Sequence, residues 1–155
     1  MEPLVVAAER TIDAPVSVLW EIVADLDGYH RHVEALAETA VVEGAGRGAI
    51  RRCVDASGAA WSETCTVWEP ERCYVIEVDV ATYPLKYRSL FRSFRGTWNL
   101  EPAGRGTRVS LSFDIELRRV PGASSLLRRL TRRARADLEA ILASYAVTAA
   151  RRSTG

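Results

Sequence analysis

One long stretch near the C-terminus decides what this chain can become. Between Pro121 and Ala149 no glycine or proline follows Gly122, and apolar residues fall at Leu127, Leu130, Ala134, Leu138, Ile141 and Tyr145. Spacings of three and four put these side chains on one stripe of a helix of about seven turns. Pro121-Gly122 precedes it, and Ser124 and Ser125 are placed to cap its start. The other face carries Arg128, Arg129, Arg132, Arg133 and Arg135. Such a helix must bury its stripe on a partner surface. Ahead of it, past a short helical opening, the chain reads as strands. The expectation is a curved sheet gripping one helix, with function in the space between them.

Leu4 to Ile12 reads as the first strand. Asp13-Ala14-Pro15 opens a helix whose apolar face is Val16, Leu19, Trp20, Val23 and Leu26; Asp13 is its expected cap and Asp27-Gly28 its end. Tyr29 to Val33 reads as a second short helix or a turn. Strands are then expected at Leu36–Glu43, Ala49–Ala56, Ala60–Glu69, Arg72–Thr82, Tyr87–Glu101 and Thr107–Arg118, joined by turns rich in Gly and Pro. The last alternates most cleanly: Val109, Leu111, Phe113, Ile115 and Leu117 against Arg108, Ser110, Ser112, Asp114 and Glu116. Connections this short make the sheet antiparallel. The class is α+β, with six to seven strands wrapped around the long C-terminal helix and two short helices after the first strand. Residues 1–150 form one domain and 151–155 a disordered tail.

Composition removes several function classes. Hydrophobic residues make up 48% and the formal net charge is +1, so the chain is globular and has no global field to recruit nucleic acid or a membrane. No apolar run is long enough to span a bilayer, and no signal peptide is expected. Cys53, Cys65 and Cys73 all lie in strands without a C-x-x-C pair or a nearby histidine. That pattern suits buried thiols in a reduced, cytoplasmic protein, and no metal site or cofactor is expected. Gly44-x-Gly46-x-Gly48 precedes a strand, so it is a turn and no phosphate cradle.

The order of elements carries recognisable motifs. Asp13-Ala14-Pro15 with Trp20 is followed by Asp25-Leu26-Asp27-Gly28-Tyr29, and Gly96-Thr97-Trp98-Asn99-Leu100-Glu101-Pro102 leads into Gly106-Thr107-Arg108-Val109. Over nearly its whole length the chain resembles the START-like, Bet v 1-like (SRPBCC) helix-grip superfamily. With Trp61, Trp98 and Pro121-Gly122-Ala123 it looks most like the polyketide cyclase/dehydrase branch, including aromatase/cyclases. The resemblance implies a hydrophobic cavity between sheet and helix. Two features of that branch are missing: its cavity arginine falls at Val67, and its tyrosine after the second short helix falls at Leu36.

Candidate site residues come from strand parity and from the resemblance together. Trp61, Glu63, Cys65 and Val67 share a face, and a carboxylate beside Trp on a cavity wall can move protons, unless it is solvated or paired with a strand arginine such as Arg51. Arg88 and Arg92 share parity with Phe94 and Trp98. They are either fixed cations for a ligand oxygen or solvent-facing residues near a strand end. Tyr29, His30 and His32 sit where the resemblance puts the cavity mouth, and histidine shuttles protons near neutral pH. The catalytic candidates are thus Glu63, Arg92 and His30. The ligand contacts are Tyr29, His32, Trp61, Arg88, Phe94, Trp98, Phe113, Leu130 and Ala134.

The resulting expectation is a cofactor-independent cyclase or dehydratase acting on a polyketide-type intermediate. A non-catalytic carrier or sequestering protein for a lipid, quinone or aromatic small molecule is the alternative. Between Arg118 and Arg135 lie seven arginines and no acid. They are either a solvated face or a dock, at Arg128, Arg129, Arg132 and Arg133, for the acidic acyl carrier proteins that the resemblance brings in.

Overall fold

Alternation and turn chemistry produce the expected meander, and the structure, a computed structural model, describes residues 4–119 and 123–155. The strands are β1 (Leu4–Ile12), β2 (Leu36–Glu43), β3 (Ile50–Asp55), β4 (Ala60–Glu69), β5 (Cys73–Val78), β6 (Phe91–Ala103) and β7 (Gly106–Leu117). They form one antiparallel sheet in the order β1-β7-β6-β5-β4-β3-β2. The helices are α1 (Val16–Val23), α2 (Leu85–Arg88) and α3 (Ala123–Ser153), with 3-10 turns at Tyr29–His32 and Val80–Thr82. The helix-grip architecture read from the sequence is therefore the observed one. No helix among the described residues is long and apolar enough to cross a membrane.

The differences from expectation are local and have local causes. Pro15 occupies the cap position of α1 without a side-chain cap bond, so Asp13 does not cap it, and the helix closes at Ala24, well before Gly28. β5 stops at Val78 because the Asp79 side chain accepts from the Ala81 amide and turns the chain. The segment expected to begin β6 is coiled into α2 instead. α3 already runs at Ala123, so Ser124 and Ser125 lie inside it, while Pro121-Gly122 falls outside the described residues. The helix continues through Ser153, which leaves little of the expected tail. Arg151 and Arg152 in its last turn suit the negative end of the helix dipole, and Arg152 reaches Glu21 of α1 at 3.0 Å.

The core is uneven along α3. Leu138, Ile141, Leu142, Tyr145 and Ala149 are buried against β1 and α1. Each large apolar side chain sealed there contributes about 1.5–3 kcal/mol. On the N-terminal half, Leu127, Leu130 and Ala134 continue the stripe but are only half-buried. The helix therefore seals the core with its C-terminal half, while its N-terminal half is only partly buried.

Candidate functional site

Register across the β3–β4 hairpin builds the polar part of the concave face. Arg51 pairs opposite Glu63 and Cys53 opposite Trp61, and all four turn inward. The Arg51 side chain is 2% exposed. Its Nε donates to Glu63 Oε1 at 3.0 Å and its Nη2 donates to the same oxygen. Nη1 donates to the Leu26 carbonyl at 3.3 Å, and Trp61 Nε1 donates to Glu63 Oε2 at 3.0 Å. The guanidinium also lies 4.7 Å from the centre of the Tyr29 ring. Burial works against the charge on Arg51, but Glu63 outweighs it and holds the guanidinium protonated more firmly than usual. Burial, and then the Glu63 charge, push the Cys53 thiol up, which makes it a poor nucleophile.

Two bulges decide which neighbours join this face. A bulge between Cys65 and Val67 reverses the parity of β4, so Trp68 comes within 5.0 Å of Trp20 and Val67 leaves the row of Trp61 and Glu63. A bulge between Phe91 and Ser93 lets Phe91 and Phe94, an odd and an even position, face the same side. The same bulge turns Arg92 to solvent, and Arg88 sits exposed in α2 with its Nε on the Tyr83 carbonyl. The parity that placed these two arginines beside Phe94 is thereby corrected: neither lies on the concave face.

Aromatic rings complete a closed circuit of contacts. Trp61 meets Tyr83 at 5.1 Å, Tyr83 meets Phe91 at 5.7 Å, Phe91 meets Phe94 at 6.1 Å and Phe94 meets Phe113 at 5.1 Å. Phe113 then meets Trp98 at 6.3 Å and Trp98 meets Tyr29 at 5.6 Å, which returns the path to Arg51 and Glu63. Trp98 is 2% exposed, but Tyr83, Phe94 and Phe113 remain half-buried although they face inward. Burial of Tyr29 raises its phenol well above the usual range. A further concavity lies on the outer side of the sheet, among Ala7, Glu9, Asn99, Ser110 and Ser112. It is separate from the Glu63–Arg51 wall.

The histidines hold the fold near this region. Thr39 Oγ1 donates to the Asp27 carbonyl at 2.8 Å, which spends its proton, so His30 Nδ1 carries the hydrogen it shares with Thr39 at 2.9 Å. That ties His30 to β2 through Thr39. His32 Nδ1 lies 2.7 Å from Ser144 Oγ, and its ring sits edge-on to Tyr145 at 4.7 Å, joining the Tyr29–His32 turn to α3. Burial lowers the His32 pKa from 6.5, with Asp25 acting in the opposite sense. The unfolded chain thus takes up this proton first. The contribution of His32 to stability is whole above about pH 6.5 and declines as pH falls through the window below it. Urea midpoints at pH 7 and 5 should fall less in His32→Gln than in the parent, since glutamine keeps a partner for Ser144 without the proton.

Tyr83 and Phe91 are the members of this wall that residue-by-residue parity missed, whereas Arg51 was already one of the partners considered for Glu63. The pairing of Arg51 with Glu63 was readable from the hairpin, because a turn at Ser57-Gly58 folds position 51 onto 63. Leu36 begins β2 and packs on the core, and Arg128, Arg129, Arg132 and Arg133 are exposed on α3. Ala134 packs against the core, and Leu130 is half-buried.

The description "polyketide cyclase / dehydrase and lipid transport" matches residues 3–146. Among curated proteins, none matches the chain. The solved structures it is similar to include TTHA0849 of Thermus thermophilus, at 26% identity over 97% of this chain and 99% of that one, with a TM-score of 0.73. Zhui aromatase/cyclase of Streptomyces sp. R1128 is 20% identical over 93% and 94% of the two chains, with a TM-score of 0.69. A START superfamily protein of Mycobacterium smegmatis is 13% identical over 95% and 97%, with a TM-score of 0.70. At those last two identities the likeness is one of fold.

Proposed function

The chain belongs to the polyketide cyclase/dehydrase and lipid-transport family, and from that premise we propose that it holds a flat hydrophobic small molecule, of polyketide or aromatic type, on its concave face. One observation carries this reading. Phe94, Phe113 and Tyr83 point inward yet are half-buried, while Trp98 and Tyr74 on the same face are sealed. Apolar rings left partly wet inside a fold gain free energy when a ligand covers them, at about 25 cal/mol per Å². A holding role fits better than chemistry because the ionisable groups are already engaged. Glu63 accepts from Arg51 and Trp61, His30 is bonded to Thr39 of β2, and Arg88 and Arg92 lie outside.

A second reading, a cofactor-independent cyclase or dehydratase, is favoured by the Glu63–Arg51 pair beside Trp61 and Tyr29. A carboxylate and guanidinium held in a low-dielectric wall can move a proton and stabilise an enolate. Without an arginine at Val67 or a tyrosine at Leu36, such an enzyme would use this pair instead. An intermediate carried on an acidic acyl carrier protein would dock on Arg128, Arg129, Arg132 and Arg133.

Leu130→Trp tests the holding role by filling the space beneath α3. The variant should keep its melting temperature and lose saturable uptake of a hydrophobic dye. Undiminished uptake would move the site elsewhere. Turnover lost in Glu63→Gln with uptake retained would favour the second reading.

A further inference from the structure

We infer that the ligand of this concave face is an anionic amphiphile, a flat apolar body with a carboxylate-like head, whose charge is read by the arginines that follow β7 and those on α3. The inference rests on the proposed holding role and adds the ligand's charge. Seven of the chain's 21 basic residues lie between Arg118 and Arg135, where there is no acid. That leaves 14 basic against 20 acidic residues elsewhere, so a segment of +7 faces a remainder of −6 within a chain of net +1.

Pairing sharpens the contrast. Of the 14 basic residues elsewhere, six, Arg31, Arg51, Arg72, Arg95, Arg108 and Arg152, have an acidic partner within ion-pair distance. Among the described residues none of the seven does, and Arg133 feels Asp137 only at longer range. All seven are exposed. They lie just past the end of β7 and on the half of α3 whose apolar stripe, at Leu127, Leu130 and Ala134, is only half-buried. The half-buried part of the apolar stripe and the unbalanced positive charge therefore belong to the same stretch of α3. A body that enters beneath α3 can leave an anionic head among arginine side chains, whose flexible stems reach several ångströms along the helix edge. A merely solvated face would not need to coincide with the half-buried part of the stripe.

The test compares anthraquinone-2-carboxylate with its methyl ester, read by quenching of tryptophan fluorescence. The intact protein should bind the acid about fivefold more tightly than the ester at low salt, with the preference fading at high salt. In the double variant Arg128→Glu, Arg132→Glu the acid should lose that advantage while ester affinity and melting temperature stay the same. Equal affinity for acid and ester in the intact protein would overturn the inference and leave the holding role standing. So would a preference that survives in the double variant, or competition by acetate as strong as that of the aromatic acid. If neither probe binds, the holding role falls and the inference with it.

Discussion

Replacing Glu63 by alanine is expected to cost about 3–5 kcal/mol of stability, because it strands the buried Arg51 guanidinium without a counter-charge. The magnitude follows from the surroundings. Arg51 is enclosed between Glu63, the Leu26 carbonyl and the Tyr29 ring, and its side chain is 2% exposed. Water cannot take over the lost interaction, and Trp61 Nε1 loses its acceptor as well. For a chain of this size the loss corresponds to a melting temperature lower by roughly 6–20 °C. Glu63→Gln should cost less, since its amide oxygen still accepts from Arg51 or Trp61. The double replacement Arg51→Leu, Glu63→Leu should recover most of the loss, as removing both charges also removes their desolvation penalty. Urea titration of the four proteins checks this. A loss in Glu63→Ala below about 1 kcal/mol would mean that the pair is wet, and that Glu63 is open to a ligand after all.

Trp98→Ala should cost a similar amount, about 3–5 kcal/mol, through a different cause. The Trp98 ring stacks on Tyr74 at 4.7 Å and 11°, meets Tyr29 edge-on, and donates from Nε1 to Tyr145 Oη at 3.2 Å. It thus ties β5 and β6 to the sealed half of α3. Gly96 exists to admit it: a Cβ there would lie 2.7 Å from the indole and 3.3 Å from Phe113. Truncation leaves a void that these rigid neighbours cannot collapse into. It also removes the donor that approaches Tyr145. Trp98→Phe keeps the stack and should lose only about 1–2 kcal/mol, mostly from the hydrogen bond. Thermal and urea unfolding of the two variants separate the void from the bond. Equal losses would mean that the bond, and not the volume, dominates.

Both expectations rest on features of differing legibility in the sequence. The stripe from Leu127 to Tyr145 and the alternation of β7 were readable because a regular helix and a regular strand repeat their geometry along the chain. Trp61, Glu63 and Cys65 were correctly placed on one face for the same reason. Parity failed at Arg88 and Arg92, where α2 and the Phe91–Ser93 bulge break the repeat. One inserted residue inverts the parity on one side of it relative to the other, here for Arg92 against Phe94 and Trp98, and nothing in the pattern Phe91-Arg92-Ser93-Phe94 marks the insertion. The roles of His30 and His32 were not readable either. Their partners, Thr39 and Ser144, are set by how the 3-10 turn docks on β2 and α3. The charge asymmetry of α3 was plain in sequence. Its coincidence with the half-buried part of the stripe needed the structure, because burial along the stripe changes midway without any change in its spacing.

A concave face that holds a hydrophobic small molecule should carry one out of the cell. Native mass spectrometry of the protein purified from its own cells, with identification of anything released on denaturation, tests it most directly. The expected result is a one-to-one complex with an apolar, aromatic or polyketide-type compound. A protein that is empty, and that also takes up no hydrophobic dye, would contradict the account.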